Sequence, residues 1–400
     1  MRSTRRFELS ASVSADWLWF LAQAILAISW VEAPMEFRLL SCLLVAIALD
    51  GCALRPAASV LTPVATDASD TRRVELFAAT SRNLTGETNE FGSASDRSLA
   101  LNYQAYQMSI PPSHKVGAIE WPMGVTDPER HLAVLARKEL TEDEFAKRVA
   151  RASRDGEAVI FIHGYNTLYQ EAIFRFTQLV HDTGFAGAAI VFSWPSEGKI
   201  LGYGRDRESS MFSRDHLERL IRSVAKIPSV KKIHLVAHSM GGWLTAEVLR
   251  QAKFKNALEF DGKLGEVVLA SPDIDIDVFR TQIIAIGKRS PPITVLISRD
   301  DKALAISKLI AGNVDRVGAF VVDDPRIVPI LEQAGLRVFD MSLLQSGDPL
   351  QHAKFAASSE LIQSFSKDLH SGMVREKSRR GRAGLLIVDS SGVPRGPKER

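Results

Sequence analysis

The chain has 400 residues, of which 46% are hydrophobic and 24% are charged, and its formal net charge at pH 7 is +3. This composition is ordinary for a globular protein, and the small net charge excludes a molecule built as a whole to bind polyanions. The two cysteines, Cys42 and Cys52, exclude a disulfide framework, a cysteine-rich zinc site and a cysteine nucleophile in the predicted domain.

An apolar run near the N-terminus, Leu39–Leu49, follows Arg38. Such a run matches the hydrophobic part of a secretion signal and is too short for a comfortable membrane span. With Gly51 and Cys52 it resembles a bacterial lipoprotein signal, in which the cysteine is acylated and becomes the new N-terminus. Asp50 departs from that pattern, so an anchor helix and a signal cleaved elsewhere are alternatives. We expect a periplasmic location in the cell envelope, with lipidation at Cys52.

Shifts in composition divide the chain into further segments. Translation is expected to begin at Met35, which makes residues 1–34 a start-site artefact or an extra N-terminal segment. The signal, a linker, a folded domain and a tail are predicted at residues 35–52, 53–72, 73–372 and 373–400. Within the domain, residues 73–155 are N-terminal strands and a helix, and residues 156–372 are the core. The tail carries eight Arg or Lys residues and three acids, and we expect it to be disordered.

Short apolar strands alternate with amphipathic helices from residue 158 onward. The predicted strands are 73–81, 101–110, 158–162, 188–194, 232–237, 266–270, 293–298 and 337–341. The predicted helices are 141–152, 168–182, 208–226, 242–253, 277–287, 303–311 and 358–369. This order predicts an α/β protein with a mostly parallel central sheet, helices on both faces and a small N-terminal strand extension. All parallel strands then end at one edge, where active sites form.

The most informative motif is Ala237-His238-Ser239-Met240-Gly241, which joins an apolar strand to a helix. A serine on such a tight turn projects its hydroxyl away from the backbone, where a base can reach it. Small residues at 237 and 241 allow the strand and the helix to pack closely around the turn. Ser239 is therefore the predicted nucleophile of a serine hydrolase.

A serine nucleophile needs a base and a group that orients the base, and in this fold the chain order is Ser, acid, His. Asp300 and Asp301 follow the strand 293–298, and Asp301 is favoured because it directly precedes a helix. His352 lies in a loop after the strand 337–341 and is the predicted base. His370 is a weaker candidate because it lies near a predicted helix end.

Backbone N–H groups must stabilise the oxyanion that forms during acyl transfer. The strand 158–162 ends in His163-Gly164-Tyr165, and such a loop offers the N–H of Tyr165. The N–H of Met240, which opens the helix after Ser239, is the second predicted donor. His163 and His238 are interpreted as structural neighbours rather than bases.

Several motifs together resemble alpha/beta hydrolases of a bacterial family described only as a domain of unknown function. They are Phe161-Ile162-His163-Gly164-Tyr165-Asn166, Phe192-Ser193-Trp194-Pro195-Ser196-Glu197-Gly198, the motif around Ser239, Phe77-Ala78-Ala79-Thr80-Ser81-Arg82, and the run from Ser109 to Gly117. The resemblance covers about residues 73–370 and implies an alpha/beta-hydrolase fold with esterase or lipase chemistry. It implies no particular substrate. Residues 194–196 either border the pocket mouth or form a rigid turn, and residues 198–213 can form a short cap.

Three functions fit these motifs. The first is a carboxylic ester hydrolase that uses Ser239, His352 and Asp301, with no cofactor and no metal, on a small-molecule or lipid ester. The second is an acyltransferase or peptidase with the same triad, and the third is a non-catalytic scaffold anchored in the envelope. We expect a membrane as partner through the N-terminal anchor and no nucleic acid, since the basic tail lacks interleaved aromatic residues.

Overall fold

The predicted alternation of strands and helices is present in the computed structural model. The structure describes residues 55–65, 71–85, 90–91, 97–122, 124–321, 333–344, 348–357, 385–388 and 394–395. Residues Met1–Arg55 and Pro56–Arg400 form separate units, and the second contains the fold described below. The predicted signal, Cys42, Cys52, the helix 358–369 and His370 lie outside the described residues, so those assignments stay predictions.

The described strands range from two to fourteen residues in length. They are β1 (Arg72–Arg82), β2 (Leu84–Thr85), β3 (Glu90–Phe91), β4 (Arg97–Ile110), β5 (Ala133–Leu140), β6 (Glu157–Ile162), β7 (Ala188–Ser193), β8 (Lys232–His238), β9 (Leu264–Ala270), β10 (Ile293–Ile297), β11 (Arg337–Asp340), β12 (Leu385–Val388) and β13 (Pro394–Arg395).

The helices mostly lie between consecutive strands. They are α1 (Glu142–Ala152), α2 (Tyr169–Thr183), α3 (Tyr203–Phe212), α4 (Arg214–Ala225), α5 (Met240–Phe254), α6 (Ile276–Ile286), α7 (Lys302–Ile310) and α8 (Lys354–Ala357). The capping box predicted at the start of α1 is present, since the Thr141 side chain accepts from the Glu144 N–H and the Glu144 carboxylate accepts from the Thr141 N–H. Among the described residues, no helix combines the length and the apolar character that a membrane span requires.

One sheet of eleven strands organises the domain, in the order β13-β12-β11-β10-β9-β8-β6-β7-β1-β4-β5. The strands from β12 to β1 in that order pair in parallel. The pairs β1–β4, β4–β5 and β12–β13 are antiparallel. The parallel strands end at one edge, here called the carboxyl edge. The fold is therefore the mostly parallel α/β sheet with an N-terminal strand extension that the sequence predicts.

Both faces of the sheet are buried because neighbouring residues of a strand point to opposite faces. In β6, Ile160 and Ile162 belong to one apolar cluster, while Val159 and Phe161 belong to the cluster on the other face. Helices must cover both clusters, which explains why the central strands read as continuous apolar runs.

Three local features differ from the predicted elements, and the first two have physical reasons. The edge strand β5 escapes prediction because its exposed half is charged, with Arg137, Lys138 and Glu139 in sequence. The predicted helix 208–226 is two helices, α3 and α4, separated at Ser213, whose hydroxyl contacts the Ser209 carbonyl and the Ser81 hydroxyl. Strands β12 and β13 lie within the segment predicted as a disordered tail, most of which is outside the described residues.

The turn between β8 and α5 packs directly against the end of β6. Gly241, in the first turn of α5, has no room for a side chain: a Cβ there would lie 2.5 Å from the His163 carbonyl oxygen and 2.6 Å from that of Ile162. A glycine at this position is what permits so close an approach of the two backbones.

We predict that Gly241→Ala destabilises the fold by about 1–3 kcal/mol, because overpacking against rigid backbone forces the helix and the strand apart. The matched control is Gly204→Ala in α3, where a Cβ would meet no heavy atom within 4 Å. That control should be neutral or gain up to about 1 kcal/mol by lowering the entropy of the unfolded chain. Denaturant unfolding measures both, and equal stability of the two variants would contradict the packing account.

Candidate active site

Ser239 lies in a strained backbone conformation at the carboxyl edge. It is the residue between β8 and α5, its φ is 53° and its ψ is −122°, and 3% of its surface is exposed. A non-glycine residue with positive φ costs free energy and persists only where its surroundings hold it. The Ser239 N–H donates to the Ala270 carbonyl of β9 at 2.9 Å, which fixes the turn against the neighbouring strand. This is the geometry of a nucleophile on a strand-to-helix turn.

The loop after β6 lies directly against this turn. A Cβ at Gly164 would lie 2.8 Å from the Ser239 Cβ and 3.0 Å from the His238 Nδ1, so only glycine allows the contact. Tyr165 follows in the same loop. Met240 is the first residue of α5, and its N–H donates to no acceptor among the described residues. Both predicted oxyanion donors therefore belong to backbone segments that border Ser239.

His352 and Asp301 form a short ion pair. The His352 Nδ1 lies 2.7 Å from the Asp301 Oδ2, and the other Asp301 oxygen accepts from the Leu304 N–H at 3.0 Å as the N-cap of α7. Burial opposes protonation of His352, but the charge of Asp301 and its hydrogen bond outweigh that effect and raise the pKa of His352 above its ordinary value. Asp301 thus orients the imidazole and stabilises its protonated form.

Asp300 has a different partner. Its carboxylate binds the Lys354 Nζ at 2.7 and 2.8 Å, and Lys354 is fully buried at the start of α8. The ion pair holds the segment that follows His352 against the end of β10. Of the two acids that the sequence left as alternatives, the structure pairs Asp301 with His352.

His352 packs against His238, the residue that directly precedes Ser239. The ring of His238 packs on the ring of His352 with centroids 4.5 Å apart, and the His238 Nε2 is 3.3 Å from the His352 carbonyl oxygen. Between the described side chains of Ser239 and His352 there is no hydrogen bond. Catalytic hydrogen bonds are often long in a free enzyme and tighten when substrate binds.

The other two imidazoles are neutral structural groups. Burial lowers the pKa of His163 to about 3, with a further contribution from the charge of Arg82, and burial followed by the charge of His352 lowers that of His238 well below its ordinary value. His163 stacks on Trp194, whose Nε1 donates to the His163 carbonyl at 2.8 Å. Trp194 is fully buried, so residues 194–196 form a packed turn rather than a wall of the pocket mouth.

A buried network that the sequence analysis did not single out holds the loop after β6. The Asp206 carboxylate of α3 accepts from the Asn166 N–H, the Ser196 hydroxyl and the Glu197 N–H at 3.1, 2.5 and 2.7 Å. Burial raises the pKa of Asp206, while these hydrogen bonds and the charge of Arg82 act in the opposite direction. The network positions Asn166, which is the residue after Tyr165.

Arg82 completes this network from the end of β1. The guanidinium is buried and donates to the Ser193 hydroxyl and to the carbonyls of Ser196 and Thr167. The only sequence signal for its role is its place in the motif 77–82, because nothing in a local pattern tells which distant loop an arginine reaches.

Two chain segments cover the carboxyl edge near Ser239. Residues 198–213, which the sequence suggested as a cap, form a single 3-10 turn, Ile200–Gly202, and then α3. The helix α7 leaves β10 and the chain returns to the same edge, where the Ser298 N–H donates to the Gly318 carbonyl at 2.8 Å. The Tyr203 hydroxyl of α3 lies 3.2 Å from the Ser307 hydroxyl oxygen of α7, and this hydrogen bond joins the two segments. We refer to residues 199–212 and 302–310 as the cap.

A buried acid lies below the cap. Asp273 follows β9, accepts from the Ser307 hydroxyl at 2.6 Å and is 3.2 Å from the Arg316 Nε. Its charge is among the factors that raise the pKa of His352. Sequence reasoning missed this group because the ion pair joins two loops that are far apart in sequence.

Comparison with known proteins agrees with this architecture. Residues 137–368, more than half of the chain, match the model of a family described as an alpha/beta hydrolase of unknown function (DUF900). The chain belongs to this family. The resemblance stated from the sequence motifs is thereby confirmed, and the family description makes the protein a hydrolase-fold protein without assigning a substrate.

Individual relatives are distant or match short segments. An uncharacterized protein of Nostoc sp. is 43% identical over 65 residues, which is 16% of this chain and 17% of that protein, so the chain spans under a fifth of this curated relative. Esterase B of Lactobacillus rhamnosis is 12% identical, with a TM-score of 0.31 over 56% of this chain and 75% of its own. An esterase of Pyrobaculum calidifontis is 15% identical, with a TM-score of 0.32 over 55% and 78%.

Two other polar features lie at the opposite edge of the sheet from Ser239. His114, His181 and Asp182 have the spacing of a metal-binding group, but the His114 imidazole already binds Glu120 and Asp182 at 2.8 Å each. A groove of about 780 Å³ at the start of β1 is lined by Arg72, Arg73, Arg148, Arg151 and Arg154, among others. Neither includes a residue of the Ser239 site.

We predict that Asp301→Asn lowers the pKa of His352, because the imidazolium loses its anionic partner in a buried setting. Asp301 stabilises the protonated imidazole of His352 in the native protein, so its loss lowers the pKa. NMR titration of the histidine ring protons, assigned with His352→Gln, measures the shift.

The matched control is Asp300→Asn, one residue away. It should leave the pKa of His352 nearly unchanged but destabilise the fold by about 1–3 kcal/mol, because Lys354 keeps a buried charge without its carboxylate. A larger change in the His352 pKa with Asp300→Asn than with Asp301→Asn would exclude the assigned pairing.

Proposed function

We propose that the protein is a serine hydrolase that cleaves carboxylic esters through Ser239, His352 and Asp301. The observation that carries this proposal is the positive-φ serine at a strand-to-helix turn, whose preceding residue, His238, packs on His352. The His352 Nδ1 is 2.7 Å from the buried Asp301 carboxylate. Membership of a hydrolase family adds the general class of chemistry. Ester cleavage in particular is our inference.

The reaction proceeds in two halves. In the first, the Ser239 oxygen attacks the carbonyl carbon of the ester while the His352 Nε2 takes the hydroxyl proton, and Asp301 holds the Nδ1–H. The negative charge passes to the carbonyl oxygen, which the N–H groups of Tyr165 and Met240 stabilise. The carbon–oxygen bond to the alcohol then breaks, and His352 returns the proton to the departing alcohol. In the second half water attacks the acyl-enzyme along the same path and releases the acid.

We further propose that the N-terminal apolar segment holds the enzyme at a membrane of the cell envelope. The support is the run Leu39–Leu49 followed by Cys52, which resembles a lipoprotein signal. Attachment through lipid on Cys52 and attachment through an uncleaved helix both keep the domain next to a bilayer.

A fluorophosphonate probe tests the proposed nucleophile. We predict covalent labelling of the wild-type protein and loss of labelling in Ser239→Ala, because only an activated serine attacks the phosphorus centre. Ser223→Ala, a change on α4 away from the carboxyl edge, is the control and should label like the wild type. Mass spectrometry of the labelled peptide checks the site, and p-nitrophenyl esters of graded chain length then test ester cleavage. Absence of labelling in the wild type would support the non-catalytic scaffold instead.

A second variant tests how the oxyanion loop is positioned. We predict that Asp206→Asn lowers kcat on a p-nitrophenyl ester about 10–100-fold with a smaller change in KM, because the loop that carries Tyr165 loses its anionic anchor. The matched control is Glu208→Gln, an exposed acid on the same helix, which should change neither constant. If kcat and KM of Asp206→Asn equal those of the wild type, Asp206 has only a structural role.

A further inference from the structure

The folded unit starts at Pro56, and this residue lies near the carboxyl edge of the sheet. The Pro56 carbonyl accepts from the Gln170 Nε2 at 2.7 Å, and Gln170 lies in the first turn of α2, directly after the loop that carries Tyr165. Because α2 starts where β6 ends, Pro56 lies at the carboxyl edge. The chain then runs down the domain to Val64, whose N–H donates to the Val134 carbonyl at the start of β5.

The length of chain before Pro56 limits how far this edge can be from a membrane anchor. Pro56 comes seven positions after Leu49, the end of the apolar run. An extended chain spans at most about 3.5 Å per residue, so this connection reaches about 25 Å. From Cys52 the reach is about 14 Å. On the proposed anchor, Pro56 therefore stays within this reach of the bilayer surface.

This edge also exposes a group of large apolar side chains, which we call the apolar rim. Its members are Leu201, Leu309, Ile310, Leu343 and Leu350. Leu201 is 97% exposed. Single exposed apolar residues need no explanation, but several at one edge of a sheet indicate a binding surface. The Tyr203–Ser307 hydrogen bond holds the two cap segments together, and Leu201 and Leu309 each lie two residues from it.

The remaining two members, Leu343 and Leu350, lie in the segment between β11 and His352. The Leu350 carbonyl accepts from the Lys302 N–H at 2.9 Å, and Leu350 lies two residues before His352. The Ser342 hydroxyl, next to Leu343, accepts from the Arg299 N–H at 2.9 Å. The apolar rim therefore includes residues from the cap and from the segment that precedes His352.

Charged side chains around the rim have the sign that an anionic membrane attracts. Lys199, Arg207 and Lys302 are exposed on the cap. Asp300 binds Lys354, and Glu197 is 3.3 Å from Arg205. Glu208 of α3 is exposed, so these three exposed cations accompany one exposed acid on the cap. Cationic side chains next to exposed apolar ones are the combination that binds the interface of a bilayer with anionic headgroups.

From these observations we propose that the carboxyl edge docks on an anionic phospholipid bilayer and that the enzyme takes its substrate from that bilayer. This inference rests on the proposed function and narrows it to esters of long acyl chains held in a membrane. The Ser239 oxygen forms a bond with the acyl carbon, the bond to the alcohol oxygen breaks, and water then releases a fatty acid. The docked cap shields the site and lets the acyl chain pass from the lipid to Ser239.

Hydrogen exchange of the full chain tests docking without any catalysis. The Ser239→Ala protein is compared free and with vesicles of phosphatidylglycerol and phosphatidylcholine. We expect slower exchange on the vesicles in peptides from residues 199–212 and 302–310, and unchanged exchange around Phe254, an exposed apolar residue at the end of α5 on the opposite edge. Protection at the opposite edge, or equal protection on vesicles of phosphatidylcholine alone, would overturn the proposal.

An activity ratio tests the substrate class. Leu201→Asp combined with Ile310→Asp should lower the ratio of hydrolysis of a vesicle-borne ester to that of soluble p-nitrophenyl butyrate at least tenfold. Phe254→Asp, the matched control, should leave the ratio as in the wild type. An unchanged ratio in the double variant would overturn docking through the rim. If the wild type cleaves neither ester, the proposed function fails, and the exchange experiment still decides whether this edge binds the bilayer.

Discussion

The close approach of two backbone turns is the constraint on which the site depends. Gly164 and Gly241 allow the loop after β6 and the first turn of α5 to meet at distances that no side chain permits. Ser239 lies between them with positive φ, and its N–H is fixed by β9. The strain of that one residue is offset by the packing of three neighbouring strands, which is how a folded domain can keep a hydroxyl in an unfavourable backbone conformation. This contact positions the loop with Tyr165 and the helix α5, which begins at Met240.

The sequence predicts the fold well because its signals are local and repeated. Apolar runs for β6 to β10 and the capping box before α1 each give an element whose bounds are correct within two residues. Strand β5 and the break at Ser213 are missed, since an edge strand with charged residues and a side-chain contact to Ser81 have no local pattern. Pairing with β4 determines the strand, and the contact with Ser81 accompanies the break.

The residues of the candidate site also fall into a part that the sequence predicts and a part that it does not. Ser239, His352 and Asp301 are predicted from motif and chain order, and the structure places the histidine against the favoured aspartate. The partner of Asp300 could not be predicted, because Lys354 comes from a segment fifty-four residues later whose burial only the fold determines. Asp206 and Arg82 are similar: each carries a charge whose function appears only when β1, α3 and the loop after β6 are brought together. The sequence shows where ionisable residues occur. It does not show which buried groups they bind, and that binding determines their role.

Three imidazoles lie within reach of the turn, and their basicities differ widely. Burial keeps His163 and His238 uncharged, while the neighbouring acids favour a proton on His352. When neighbouring groups titrate in the same pH range, the pKa values that are observed belong to the group of residues and not to any one of them. Here a proton that arrives from solvent has one favoured place to reside, so the surrounding histidines act as fixed dipoles rather than as competing acceptors. The site can therefore accept and release a single proton cleanly, even though it contains more imidazole than a triad requires.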